Sequence, residues 1–177
     1  MPLSQVVAHL TNTVMDLTTI TAKAEAYCHS YAKAVAAGTN DPKISISRLA
    51  EGIFDHYQPE DFVSFVFGTK NIFADKAAQM PSMTLYMQKW VDSGLVLDIR
   101  MDKYEVRAVS TNHALCFITW SIHPPVGSGS EGWAWENVYS FRVPIGQENG
   151  FWEFVVCDNE TGGLLSRFPN FMEGMGG

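Results

Sequence analysis

Charge is scarce in this 177-residue chain, and positive charge scarcer still. Only 18% of residues are charged, with 12 Lys and Arg against 19 Asp and Glu, for a net charge of −7. Such an acidic balance repels phosphate backbones and anionic lipid, which argues against nucleic-acid and membrane-surface partners. No run of about 18 apolar residues occurs, so no membrane-spanning helix is expected. The first residues lack a basic segment ahead of an apolar stretch, so a signal peptide is not expected either. Cysteine is limited to Cys28, Cys116 and Cys157, an odd number without CxxC spacing. A disulfide framework or zinc knuckle is therefore not expected, and reduced thiols in a cytoplasmic protein are. The five histidines form no H-x-H or HExxH pair, so no metal is expected, and no cofactor motif survives inspection. Gly127 to Gly132 does fit G-x-G-x-x-G, but Trp133-Ala134-Trp135 follows it rather than a helix, and a pyrophosphate would find no helix N-terminus there.

What the chain does have is apolar and aromatic residues, 46% and 12% respectively. Its length suits one domain burying roughly 70% of its unfolded surface. The order of elements reads helices first and strands later, which predicts an α+β fold. Leu3, Val6, Leu10, Val14 and Leu17 mark a short amphipathic helix. A stronger one is expected over 21–37, lined by Ile20, Ala24, Tyr27, Cys28, Tyr31 and Val35. Asp41-Pro42 reads as the start of a third helix whose stripe includes Leu49, Ile53 and Phe54. Residues 61–68 read as a strand covered on both faces, 69–80 as irregular, and Pro81 as the opening of a helix closed by Gly94. From Leu95 to Asn159, four β-branched and aromatic runs separated by turn residues predict an antiparallel meander. Residues 1–20 are expected to be an N-terminal helical extension, 21–163 the folded domain, and 164–177 a loosely held tail.

Three stretches resemble the nuclear-transport-factor-2-like superfamily, which includes SnoaL-like polyketide cyclases and ketosteroid-isomerase-like proteins. They are AEAYCHSYAKAVAAG leading into ISRLAEGIFDHYQPEDFVSF, the helix ending WVDSG before a long strand, and the pair NVYSFRV and GFWEFVVCD. The resemblance implies a strongly curved antiparallel sheet wrapped around the N-terminal helices, a cone-shaped α+β barrel with an apolar pocket. It also implies a homodimer through the outer sheet face. Members include isomerases, dehydratases, cyclases, epoxide hydrolases and proteins that only bind partners, so a shared fold leaves the chemistry open.

Period-two alternation in the last strand puts Trp152, Phe154, Val156 and Asp158 on one face. Facing the helices, Asp158 would lie near the pocket mouth, where desolvation raises a carboxyl pKa and suits it to move a proton. The competing reading is that Asp158-Asn159 opens a turn. Tyr27 and Tyr31, four apart, share a helix face; the resemblance implies that one of them, Tyr31 in the catalytic assignment, donates to a substrate oxygen. Trp133, Trp135, Asn137, Tyr139 and Phe141 share a strand face. There Asn137 is either a substrate-orienting amide or a buried group bonded within the sheet. Trp90, Trp120, Trp135 and Tyr139 are expected to wall the pocket with Tyr27 and Asn137, although aromatic stripes also pack cores. His56 and His123 read as structural, His123 facing outward.

Two functions follow as expectations. One is binding of a hydrophobic small molecule, with cofactor-independent isomerisation, dehydration or cyclisation by acid–base chemistry. The other is a non-catalytic dimeric module whose pocket is filled by its own side chains, Trp90, Met83 or Met87 among them.

Overall fold

The computed structural model describes residues 16–41 and 43–174. The helix expected over residues 4–17 and the proposed Pro42 start position lie outside them, save for Asp16 and Leu17. Eleven elements follow in order: α1 (Leu17–Val35), α2 (Ala37–Asn40), α3 (Ile46–Phe54), β1 (Glu60–Val66), β2 (Thr69–Asp75), α4 (Lys76–Asp92), β3 (Ile99–Ser110), β4 (His113–Ile122), β5 (Ala134–Arg142), β6 (Phe151–Val156) and α5 (Asp158–Arg167).

The six strands form one sheet in the order β2-β1-β6-β5-β4-β3. The class is α+β, as expected. The sheet is mixed rather than wholly antiparallel, because β1 runs parallel to β6. It is unclosed, and bulges in β3 and at the β5–β6 pair bend it towards the helices.

Side-chain caps place the helix starts. Asp16 accepts from the Thr19 N–H at 2.6 Å and opens α1, so this helix begins ahead of the boundary drawn at residue 21. Along it Ile20, Ala24, Cys28 and Tyr31 are buried at helical spacing. Ser45, not Asp41, caps α3 through the Arg48 N–H. The segment read as irregular is ordered. Phe67-Gly68, both at positive φ, makes a two-residue turn between β1 and β2, and Asp75 then caps α4 through the Ala78 N–H. Sequence reading missed β2 because Lys70, Asn71, Ala74 and Asp75 are poor strand formers and β2 is an edge strand. Pro81 lies inside α4 rather than at its start. It removes one N–H from the helix ladder at an exposed position, and the residue whose carbonyl it frees, Ala77, is exposed as well. Strand β1 is likewise less enclosed than expected, with only Phe62 fully buried.

The tail expected from residue 164 onward is also packed as far as Phe171. Leu164 lies inside α5 and is fully buried, and Phe171 is buried against Tyr86 and Trp90. The core sits between the concave sheet face and the helices, anchored by Trp90, Trp152, Phe62 and Phe141. Removing the roughly 150–250 Å² of one such aromatic ring from water is worth roughly 4–6 kcal/mol. Among the described residues no helix is long and apolar enough to cross a membrane.

Candidate functional site

Between the sheet and helices α1, α3 and α4 lies a cavity of about 250 Å³ with a largely apolar wall. Tyr31, Trp90, Trp120, Trp135, Asn137 and Tyr139 all line it. Met83, Met87 and Trp90 stand in its wall and leave the space open. Of the two candidate phenols on α1, Tyr31 faces the cavity. Tyr27 points elsewhere: its hydroxyl donates to the His56 carbonyl at 2.7 Å and its ring packs on Phe141 and Trp152.

Asp158 does not reach the cavity wall. The alternation expected for β6 is broken by a bulge. Phe141 pairs with Trp152 and Ser140 with Phe154, so Glu153 is the extra residue. Upstream of it Trp152 faces inward; downstream Val155 and Cys157 do, and Phe154, Val156 and Asp158 turn away. The Asp158 carboxylate instead accepts the Phe67 N–H at 2.6 Å, holding the β1–β2 turn to the start of α5.

The acid inside the cavity is Glu160, two residues further along the first turn of α5. Its Oε1 accepts from the Tyr86 hydroxyl at 2.7 Å and its Oε2 from Asn137 Nδ2 at 2.6 Å. Glu160 is partly buried, and it lines the cavity. Burial pushes its carboxyl above the usual range, against the bonds from Asn137 and Tyr86 and the nearby Trp135 indole, which favour the charged form. The α5 N-terminus also favours charge, but an exposed helix end supplies roughly 0.3–1 kcal/mol, whereas burying an ion costs several kcal/mol. Desolvation therefore wins.

A phenol network continues from this acid. The Tyr139 hydroxyl accepts from Asn137 Nδ2 at 3.4 Å and from Trp120 Nε1 at 3.2 Å. Tyr31 and Tyr57 share a hydrogen bond of 2.8 Å. Burial holds Tyr31, Tyr57, Tyr86 and Tyr139 above the ordinary phenol value, and the neighbouring Glu160 adds to this for Tyr57, Tyr86 and Tyr139. These phenols are thus neutral hydrogen-bond donors at any ordinary pH. Two polar atoms in the wall stay unsatisfied: Asn137 Oδ1 and Trp135 Nε1 are buried with no protein partner.

Neither histidine singled out in the sequence lies in the cavity wall. His56 bonds Gly52 O and Ser30 Oγ, and burial lowers its pKa. His123 is exposed beside Ser121. Among the described residues no three His, Cys, Asp or Glu side chains cluster to hold a metal ion.

Glu160 escaped sequence reasoning because it sits where the chain reads as a turn. A signal was present: Glu160, Leu164 and Phe168 fall at i, i+4 and i+8, and Thr161 and Leu164 at i and i+3. That is the buried face of a helix, and it carries one carboxyl.

No protein-family model and no curated protein matches this sequence. Solved structures do match in fold. A nuclear-transport-factor-2-like protein of unknown function from Shewanella oneidensis is 9% identical with a TM-score of 0.52, over 75% of this chain and 96% of that one. A nuclear-transport-factor-2-like protein with a cystatin-like fold from Novosphingobium aromaticivorans is 15% identical with a TM-score of 0.52, over 88% of both chains. A domain of unknown function with a cystatin-like fold from Nostoc punctiforme is 15% identical with a TM-score of 0.52, over 85% of this chain and 87% of that one. The fold of this chain is the cystatin-like fold of the nuclear-transport-factor-2-like proteins.

Proposed function

We propose that the protein binds a small apolar molecule in its cavity and exchanges a proton with it through Glu160. The observation that carries this reading is a partly buried carboxyl, hydrogen-bonded to Tyr86 and Asn137, in the wall of a largely apolar hollow. An apolar pocket with a few convergent polar groups and a titrating group of shifted pKa is the usual form of a small-molecule site. At about 250 Å³ the space falls just below the roughly 300–1,000 Å³ of drug-sized sites, which suits one or two rings rather than a polycyclic body.

The chemistry in reach is cofactor-independent isomerisation, dehydration or cyclisation. In an isomerisation the Glu160 carboxylate would take a proton from the carbon beside a carbonyl. The Tyr31 hydroxyl, with its network partners Tyr57 and Tyr139, would hold the developing oxyanion, and Glu160 would return the proton to the far carbon. The alternative, a binding module filled by its own side chains, is disfavoured by the open space beside Met83, Met87 and Trp90. A second copy of the chain is the partner we propose for the outer sheet face, where Leu115, Phe117, Val138, Phe154 and Val156 remain partly exposed.

Because Trp90, Trp120 and Trp135 wall the cavity, ligand entry should change tryptophan fluorescence. Saturable quenching by 2-naphthol, lost in a cavity-filling Val155→Phe chain and retained in Asp158→Asn, is the expected result. An absence of saturable quenching in the unaltered protein would remove the small-molecule reading. Conversion of a β,γ-unsaturated cyclic ketone to its conjugated isomer, lost in Glu160→Gln, would establish the catalytic half.

A further inference from the structure

Among the described residues the Glu160 carboxyl has no positive partner. Its neighbours are acids or neutral donors: the Tyr86 phenol on α4, Tyr57 after α3, Asn137, Trp135 and Tyr139 on β5, and Cys157 at the end of β6. Among the described residues no Lys, Arg or His lines the cavity. Without a cation beside it the carboxyl favours its protonated form, and its anion is stabilised only where a positive charge comes from elsewhere.

Two further features point to what supplies it. Asn137 is 2% exposed, and its Oδ1 is an acceptor without a donor. Its Nδ2 is already committed to Glu160 and Tyr139, so the free atom calls for a donor and not for another acceptor. Around the same point stand the faces and edges of Trp90, Trp135, Tyr86 and Tyr139. Trp90 and Trp135 have their ring centroids 5.7 Å apart, and Tyr86 and Trp90 theirs 6.0 Å apart. Aromatic rings gathered about an anion are the setting in which an ammonium group is held, by ring quadrupole and charge together.

We propose that the cavity selects small organic amines as their ammonium ions. The ligand is an apolar body of one or two rings with one protonated nitrogen, which pairs with Glu160 in the cavity wall. This rests on the cavity being a small-molecule site, and adds the class of molecule it takes. No bond is made or broken in the binding step. Where Glu160 is protonated beforehand, its proton passes to solvent as the ammonium enters.

The test is calorimetric titration of the whole chain with four indoles: tryptamine, its neutral counterpart tryptophol, indole-3-propionate, and 3-ethylindole. Tryptamine should bind at least about tenfold more tightly than tryptophol, the scale of one charge-assisted contact, and indole-3-propionate should not bind. In Glu160→Gln that preference should vanish while 3-ethylindole still binds. A second measurement needs no variant. Glu160 must be ionised to pair with the ammonium, so tryptamine affinity should rise from about pH 5 to about pH 8 while tryptophol affinity stays level. Equal affinity for tryptamine and tryptophol, or a tryptamine affinity indifferent to both Glu160→Gln and pH, overturns the ammonium inference and leaves the small-molecule site standing. If none of the four binds, the small-molecule reading falls and the inference with it.

Discussion

Glu160 carries a cost in the folded chain that its function would explain. Burial raises its carboxyl pKa above that of the unfolded chain, so the folded state holds the proton more tightly. The contribution is fully present below the unfolded value of about 4.3 and is lost as pH rises through the folded pKa, at about 1.4 kcal/mol per unit of difference. Glu160→Gln removes that titration while keeping the shape. Thermal unfolding across pH should therefore show the Gln chain gaining on the parent as pH rises towards neutrality, with the parent ahead or equal only in acid. A parent that gains stability over the same window relative to the variant would show that Glu160 is not held in its raised state. Residue types and spacing brought Tyr31, Trp90, Trp120, Trp135, Asn137 and Tyr139 within reach from the sequence, because β5 alternates without interruption and α1 keeps its four-residue stripe. Asp158 and Tyr27 were placed on the cavity side by the same periodicities and do not lie there. For Asp158 the reason is one inserted residue, Glu153, since a single bulge inverts every face beyond it. For Tyr27 it is the width of the α1 stripe, which buries more than the cavity needs.

The element that delivers Glu160 is α5, and its seating depends on a close approach. A Cβ built on Gly163 would lie 2.7 Å from Trp133 Nε1, and the Arg167 guanidinium stacks on the same indole, 4.5 Å from its centroid. Trp133 in turn stacks on Trp90 in the cavity wall. Gly163→Ala should thus push the helix off the indole and cost about 1–3 kcal/mol as an overpacked contact, read from denaturant midpoints. It should also weaken 2-naphthol binding, because Glu160 rides on that helix. Stability lost with ligand affinity intact would mean the cavity does not depend on α5. Little of this was visible in the sequence. The segment after Asp158 begins Asn-Glu-Thr-Gly-Gly, whose two glycines are poor helix formers, and only tertiary packing of Leu164 and Phe171 makes it part of the fold. The Asp75 cap of α4 was hidden likewise, since Pro81 looked like a helix start and proved tolerable inside one.

At the scale of the molecule, order and class were legible: helices early, strands late, one bent sheet over them. The parallel β1–β6 pair was not, because no local pattern marks a partner that lies some 90 residues away in the chain. The outer sheet face keeps Leu115, Phe117, Val138, Phe154 and Val156 partly exposed. A homodimer through that face predicts that Val138→Lys, placed opposite Phe117 in the sheet, converts the protein to a monomer in light scattering at micromolar concentration without disturbing 2-naphthol binding. A parent that is already monomeric would remove the dimer.

The most direct test of the central claim is to follow the Glu160 carboxyl itself, by carbon NMR of glutamate-labelled protein across pH, assigned by the signal missing in Glu160→Gln. The Glu160 resonance should titrate above the ordinary glutamate range and move when an apolar ring compound fills the cavity. A resonance that titrates like an exposed glutamate and ignores the ligand would contradict it.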